Sequence, residues 1–326
     1  MLFRSASVEG FLQEASPPSS FAVFFADWAV ANLIGHQDIA DGPAYRAHAP
    51  QPPRARPVGP PEQVGETVTQ FGTRYYEISP ARGTTATFEG ATTVLTLAAE
   101  PFEGQGMWYA GRADCSIATM TRAFDLSANA QATLSFWIWH DTEADYDFVH
   151  VSASADGGKA WHILAGRRMS GANATGNNLG VGYTGRSGSE AEPRWVHDEI
   201  DLSPYAGQEV LIRFSYVTDD AVLREGVALD EIRIDAVGFR DGAEDSHGGW
   251  TLQGWARTGS TLPQGWSLRA IEFQGGKPAV VDLPVDAEGR AQWIAGDRGV
   301  ESVVFVVAAT TPVTLQRGRF RLIVTR

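Results

Sequence analysis

A single cysteine, Cys115, among 326 residues excludes any disulfide within the chain. That suits a cytosolic protein, or an exported bacterial one stapled by metal rather than sulfur. Long apolar runs are missing too. The best candidate, Phe21–Gly35, is too short to span a bilayer and contains Asp27. It is also a poor signal peptide, because only Arg4 is basic ahead of it and Glu9 and Glu14 intervene. If the mature protein is secreted, its signal is expected outside this sequence. Positive charge is scarce: 26 basic against 39 acidic residues give −13, and residues 67–238 alone carry 12 and 23. Such a block argues against nucleic acid as a partner and makes cations the natural ligands. Solubility alone would also account for an acidic surface.

Catalytic patterns are missing as well. None of the seven histidines is paired at helical zinc-site spacing, and no P-loop, dinucleotide fingerprint, nucleophile elbow or CxxC pair occurs. His150 and His162 fall in predicted strands and read as structural. Cys115 lacks a basic activator and reads as a buried small residue.

What remains is strand. In Leu134–Trp139, Leu134, Phe136 and Ile138 alternate with Ser135, Trp137 and Trp139, so both faces carry apolar groups and need cover. About ten such runs between residues 67 and 238 predict a two-sheet jelly roll. Six or seven more in 239–326 predict a smaller immunoglobulin-like sandwich. Ahead of them, Asp41–Glu66 is rich in proline and reads as a semi-rigid linker. Residues 8–14 and about 20–34 read as short helices, with Ser19 or Ser20 as an N-cap. Phe21, Phe24, Phe25 and Trp28 make the second helix too aromatic to stand alone, and its partner is expected outside this chain. The organisation is thus a helical segment (1–40), a linker (41–66), a jelly roll (67–238) and a small sandwich (239–326). The class is mainly β.

The strongest candidate site is the acidic connection after that first strand, where Asp141, Glu143, Asp145 and Asp147 occupy every second position. Four carboxylates so close repel one another unless they splay into water or share a cation. The likeness to an EF-hand is superficial, since Tyr146 stands where its glycine is required. A second acidic group comprises Asp219, Asp220, Glu225, Asp230 and Glu231. Jelly-roll modules can share a structural calcium between a Glu near the first strand and an Asp on the last, and Glu89 and Asp230 occupy those places. The competing reading makes Asp230 a solvated strand start. Trp108, Tyr109, Trp137, Trp139 and Tyr183 form the pool for a sugar-binding platform, against the ordinary reading of tryptophan as core. Met169–Gly188, rich in glycine and asparagine, reads as a long surface loop and a candidate functional edge.

In order, the segments 113–127, 134–161, GYTGRSG (182–188), 195–221 and GVALDEIRI (226–234) resemble the non-catalytic β-sandwich region of secreted bacterial metallopeptidases of the immune inhibitor A type. DGAEDSHGGWTLQGWARTGSTLPQGW (241–266) is similar to the module that follows, and FAVFFADWAVANLI (21–34) to a helix near the end of the peptidase domain. The resemblance implies a secreted, zinc-dependent endopeptidase with calcium-stabilised accessory domains. The HExxH helix of that family is absent here, so its catalytic residues carry over onto nothing and no zinc site is expected.

The chain is therefore expected to be the tail of such a protein: a late-starting reading frame, the companion of a separate catalytic chain, or an accessory region working without catalysis. The leading expectation is an accessory, non-catalytic, calcium-binding portion of a secreted metallopeptidase. Its partner would be the peptidase domain or a separate catalytic chain, with a protein or glycan surface as a further candidate. The alternative is a free-standing extracellular adhesion or carbohydrate-binding module.

Overall fold

The computed structural model describes residues 21–35, 50–189, 191–245, 248–296 and 299–326. The first predicted helix (8–14), the proposed N-cap serines and residues 41–49 of the predicted linker lie outside them. Helix α1 spans Phe21–Ile34. It stops at Gly35, whose φ of 62° no β-carbon opposes and whose N–H donates to the Ala31 carbonyl at 2.9 Å.

Strands follow throughout. The first group is β1 (Arg56–Pro57), β2 (Glu62–Val68), β3 (Thr73–Ile78), β4 (Thr85–Gly90) and β5 (Thr93–Leu95). Next come β6 (Gly106–Ala110), β7 (Ile117–Asp125), β8 (Thr133–Asp141), β9 (Phe148–Ser154), β10 (His162–Ile163) and β11 (Val196–Asp201). They continue with β12 (Glu209–Val217), β13 (Gly226–Ile234), β14 (Phe239–Asp241), β15 (Thr251–Gln253) and β16 (Trp255–Gly259). The last are β17 (Thr261–Pro263), β18 (Trp266–Gln274), β19 (Lys277–Asp282), β20 (Arg290–Ile294), β21 (Ser302–Ala309) and β22 (Gly318–Thr325). A tight turn separates β2 from β3. Phe71 turns through a φ of 52°, and a β-carbon on Gly72 would lie 2.2 Å from Thr69 Oγ1.

The chain forms two compact units, and they are not consecutive in sequence. Residues 95–260 make one sandwich, with sheets ordered β10-β9-β12-β7-β15 and β11-β8-β13-β6-β16. Residues before 95 and after 260 make the other, with sheets β1-β3-β21-β18-β19 and β2-β22-β4-β20. The first is inserted in the second. The expected boundaries at 67 and 238 are therefore corrected to 95 and 260. β4 pairs with β22 and β20, and β3 with β21, while β14, β15 and β16 complete the inserted sheets. Part of the predicted linker is strand as well, because β1 lies parallel to β3 and β2 antiparallel to β22. An insertion needs its ends side by side. Thr96 N–H donates to the Ser260 carbonyl at 2.9 Å on the inserted side, and Gln264 N–H to the Thr92 carbonyl at 2.9 Å on the host side.

Two-residue alternation fills both cores. In the insert, Val210, Ile212, Phe214 and Tyr216 of β12 face Leu134, Phe136 and Ile138 of β8. The outer face of β8 is also covered, with Trp139 enclosed by Leu97, Met107 and Tyr109, as a strand apolar on both faces requires. In the host, Phe88, Phe305, Phe320 and Leu322 build the interior. β21 is apolar at nearly every position because Val304 and Val306, on its other face, pack under α1 with Tyr75 and Ile271. The helix thus has a partner in this chain, contrary to expectation. Ala29, Val30 and Ile34 lie on the host sheet, and Phe21 and Phe25 meet Phe71. Tyr75 Oη donates to the Ala29 carbonyl at 2.8 Å, and Arg269 pairs with Asp27.

Candidate functional site

The acidic connection joins β8 to β9 at one end of the inserted sandwich. Asp141, the last residue of β8, turns to Arg186, whose Nε lies 3.1 Å from its Oδ1. Asp145 adopts a φ of 66° and its N–H donates to Thr184 Oγ1 at 2.8 Å. Asp147 is buried and accepts the N–H groups of Asp219 (3.1 Å) and Glu143 (3.4 Å) and the Tyr216 hydroxyl (3.5 Å). Burial raises the proton affinity of Asp147, with nearby Asp219 adding to it against those hydrogen bonds. Glu143 is raised by burial and then by Asp219 and Asp147. The fold thus brings Glu143 and Asp147 together with Asp219, while Asp141 and Asp145 turn to other partners.

Glu89 and Asp230 do not share a unit. Glu89, on the host strand β4, is paired with Arg321. Asp230 sits at a bulge in β13 of the insert, where Glu231 adopts a φ of 49° and the register to β8 slips. It is fully enclosed, so the reading of a solvated strand start is also set aside. Its carboxylate accepts the N–H groups of Glu103 (3.0 Å) and Glu231 (2.7 Å), and burial pushes its pKa up to about 6. Burial alone would raise Glu231 too, but hydrogen bonds from Arg233 and Arg240 outweigh it and hold that carboxyl below its ordinary value. Among the described residues, no three His, Cys, Asp or Glu groups are arranged to hold one metal ion. The Glu89–Asp230 ligand pair is withdrawn. Glu89 is already matched to a guanidinium, and Asp230 belongs to the other unit.

Four of the five residues of the aromatic pool are core. Trp108, Tyr109, Trp139 and Tyr183 are buried. Trp108 Nε1 and Trp250 Nε1 both donate to Asp241 Oδ2, at 3.1 and 2.6 Å, and Tyr183 Oη to Asp198 at 2.7 Å. Trp137 is half-buried, and Phe102 stacks on its ring at 3.7 Å and 15°, filling the place a sugar would take. Asp241 and Asp198 organise much of the insert. Sequence reading missed them because a lone Asp announces nothing until the indoles or amides that point at it are folded into place.

The stretch 169–188 is strapped down rather than free. Val149 bridges Tyr183, and Ser170 bridges Gly182. Nδ1 of His140 lies 2.9 Å from the Gly185 carbonyl, and Nδ1 of His150 lies 2.9 Å from that of Val181. Burial holds both imidazoles below their ordinary pKa, His140 at about 4. Both are structural, as expected of His150. His162 is exposed and Cys115, expected to be buried, is exposed at a φ of 47°. Its turn is set by the N–H it donates to the Asp219 carbonyl.

Residues 87–260 match the family described as immune inhibitor A-like, MAM domain, over more than half of the chain and nearly coincident with the inserted sandwich. The Pre-pro-metalloprotease PrtV of Vibrio cholerae is 30% identical over 162 residues, 49% of this chain and 16% of that protein. Immune inhibitor A of Bacillus thuringiensis is 29% identical over 149 residues, 44% of this chain and 20% of its own length. Bacillopeptidase F of Bacillus subtilis is 30% identical over 99 residues, 30% of this chain and 5% of its own. The aligned part is therefore a fifth or less of each of these relatives. Among the described residues no helix is long and apolar enough to cross a membrane. By its inserted sandwich and the segment matched, this chain belongs to the immune inhibitor A-like MAM domain family.

Proposed function

We propose that this chain is the accessory, non-catalytic region of a secreted metallopeptidase, holding or targeting a peptidase domain. The observation that carries this reading is the outward side of α1. While one side of the helix is buried on the host sheet, Phe24 is 50% and Trp28 44% exposed, with Val23 beside them. A ridge of that kind on a soluble protein is a place for another folded surface. The relatives, named as a pre-pro-metalloprotease and as immune inhibitor A, support a peptidase domain as that surface. In the test, the full chain is mixed with the peptidase domain of an immune inhibitor A-type protease. The wild type should co-elute and prolong its activity at raised temperature, whereas Phe24→Ser with Trp28→Ser should do neither. Without that partner, and with zinc supplied, the chain should leave casein intact. Chelator-sensitive hydrolysis by the chain itself would overturn the reading.

Calcium belongs to the same proposal with a changed ligand set. Glu143, Asp147 and Asp219 repel one another, and a hard divalent cation with oxygen ligands would relieve this. The loops 142–147 and 218–225 would have to close around it. The affinity expected is weak, in the class of extracellular modules, about 10⁻⁴–10⁻³ M.

A further inference from the structure

Residues 169–188 cross one side of the inserted sandwich, from β9 to the end of β8. Tyr183 exchanges both backbone hydrogen bonds with Val149 of β9, each at 2.9 Å. On β8, Ser187 N–H donates to the His140 carbonyl, and just beyond that strand Thr142 N–H donates to the Gly185 carbonyl, both at 2.9 Å. These contacts are isolated bridges rather than a ladder. The segment is also thin. Residues 171–174, 179 and 180 are exposed, and its hold on the apolar core is Tyr183, with Met169 at the margin. A stretch with so few buried apolar contacts opens at a lower free energy than the unit it lies on.

Two imidazoles hold it from beneath. Nδ1 of His140 lies 2.9 Å from the Gly185 carbonyl, and Nδ1 of His150 2.9 Å from that of Val181. A β-carbon on Gly182 would lie 2.8 Å from His150 Nδ1, so the chain is seated directly on that ring. A carbonyl can only accept, so each Nδ1 carries the proton and each neutral ring has a bare acceptor at Nε2. Any further proton must go to Nε2. In His150 that nitrogen is enclosed and has no hydrogen-bond partner, so an imidazolium there leaves an N–H unpaired and a charge desolvated.

Counter-charge is lacking around these rings. His150 packs against Phe148 on its own strand, Ser215 opposite on β12, and Val181 and Gly182 above, none of them charged. His140 faces Tyr183, whose hydroxyl is given to Asp198, and Val227 of β13. Asp141, next to it on β8, is already paired with Arg186 of the segment. Burial depresses the proton affinity of both imidazoles, against the opposing pull of the carbonyls and, for His140, of Asp141.

We propose that residues 169–188 are an acid-released latch: His140 and His150 hold the segment down while neutral, and their protonation lifts it from β8 and β9 while the two sheets stay folded. Once the segment is lifted both rings reach water, so each proton taken up favours the open form. Opening also removes support from the acidic connection. Thr184 Oγ1 accepts the Asp145 N–H at 2.8 Å, and Asn177 Nδ2 donates to the Tyr146 carbonyl at 3.3 Å.

The test is hydrogen exchange of the full chain, read by mass spectrometry and corrected for the intrinsic pH dependence of exchange. Between pH 6.5 and 5, peptides covering 170–187 should lose protection about tenfold or more. Peptides of β7 and β12 should stay at least about a hundredfold better protected. Low urea should speed exchange in β7 and β12 but not in the segment, because a local opening exposes little surface. His140→Asn with His150→Asn keeps a donor for each carbonyl without a titratable ring, and protection of the segment should then ignore pH over that range. Each single variant, which serves if the pair fails to fold, should give an intermediate slope. Tyr183→Phe should loosen the segment at every pH and leave the slope unchanged. The proposal is overturned if the segment shares the protection and urea response of β7 and β12, if its protection ignores pH in the wild type, or if the histidine variants keep the wild-type slope.

Discussion

The two sandwiches solve one packing problem with opposite surfaces. Residues 95–260 carry 12 basic and 24 acidic side chains, whereas 50–94 with 261–326 carry 12 and 10. Both cores are apolar and alternate in the same way. The insert, however, encloses carboxylates and imidazoles, which the described residues of the host interior do not: Asp147, Asp198, Asp230, Asp241, His140 and His150 are all buried there. Its irregular segments are long, and buried carboxylates collect the backbone N–H groups that no strand pairs. The host covers its second apolar face with α1. Stability of the insert should therefore respond to pH and ions, and that of the host to helix and strand completeness.

The largest effect expected from this difference is all-or-none. A fragment of residues 239–326 should be unfolded by circular dichroism, because β21 would lack β3 and β22 would lack both β2 and β4. Residues 95–260 produced alone should fold with one cooperative transition, since both sheets and the Thr96–Ser260 contact lie within them. A folded 239–326 fragment would break the comparison.

Core truncations should sharpen it. Phe305→Ala in the host and Phe214→Ala in the insert each remove a fully buried ring and should cost about 3–5 kcal/mol. In differential scanning calorimetry each should lower the melting of its own unit, leaving the other transition within a degree or two.

Acidification separates the units more gently. His140 is held neutral in the fold, with a pKa near 4 against an ordinary value of 6.5. The unfolded chain binds that proton first, so stability is full above about pH 6.5 and is lost as pH falls toward 4. The loss is up to about 3 kcal/mol. Asp230 acts in the opposite sense. Its raised pKa of about 6, against 3.8, makes the folded state the better proton acceptor, so its burial penalty is relieved as pH falls from 6 toward 3.8. Urea unfolding of the isolated 95–260 segment should therefore show a shallow decline from pH 6.5 downward. Asp230→Asn should make that decline steeper by removing the compensating group. A profile unchanged in the variant would sink this assignment.

Calcium should have the smallest effect. Raising it from chelator to several millimolar should lift the insert's melting temperature by a few degrees, following RT ln(1 + [L]/Kd), and leave the host's unchanged. Asp147→Asn should remove the response. If Asp230→Asn removes it instead, the cation sits at the β13 bulge.

Much of this was legible from spacing. The alternation in Leu134–Ile138 identified a core strand, and the aromatic run of 21–34 identified a helix needing cover. Asp230 was singled out by its place in GVALDEIRI, but its spacing could not show that two N–H groups already fill its carboxylate. Glu89 was assigned to the wrong sandwich because a strand's sequence does not name its neighbour in a sheet.

What the sequence determined by itself is local: strand and turn periodicity, the acidic bias of the middle of the chain, the absence of disulfides, and the family signature in residues 113–234. Tertiary structure decided what is non-local. It threaded 95–260 into a sandwich completed by residues on both sides, gave α1 its partner, matched each buried carboxylate to its donors, and laid residues 169–188 over His140 and His150. Backbone hydrogen bonds between strands are chemically alike whatever the sequence. Pairing is therefore settled by which apolar faces close on one another across long separations, and only the folded chain reveals that.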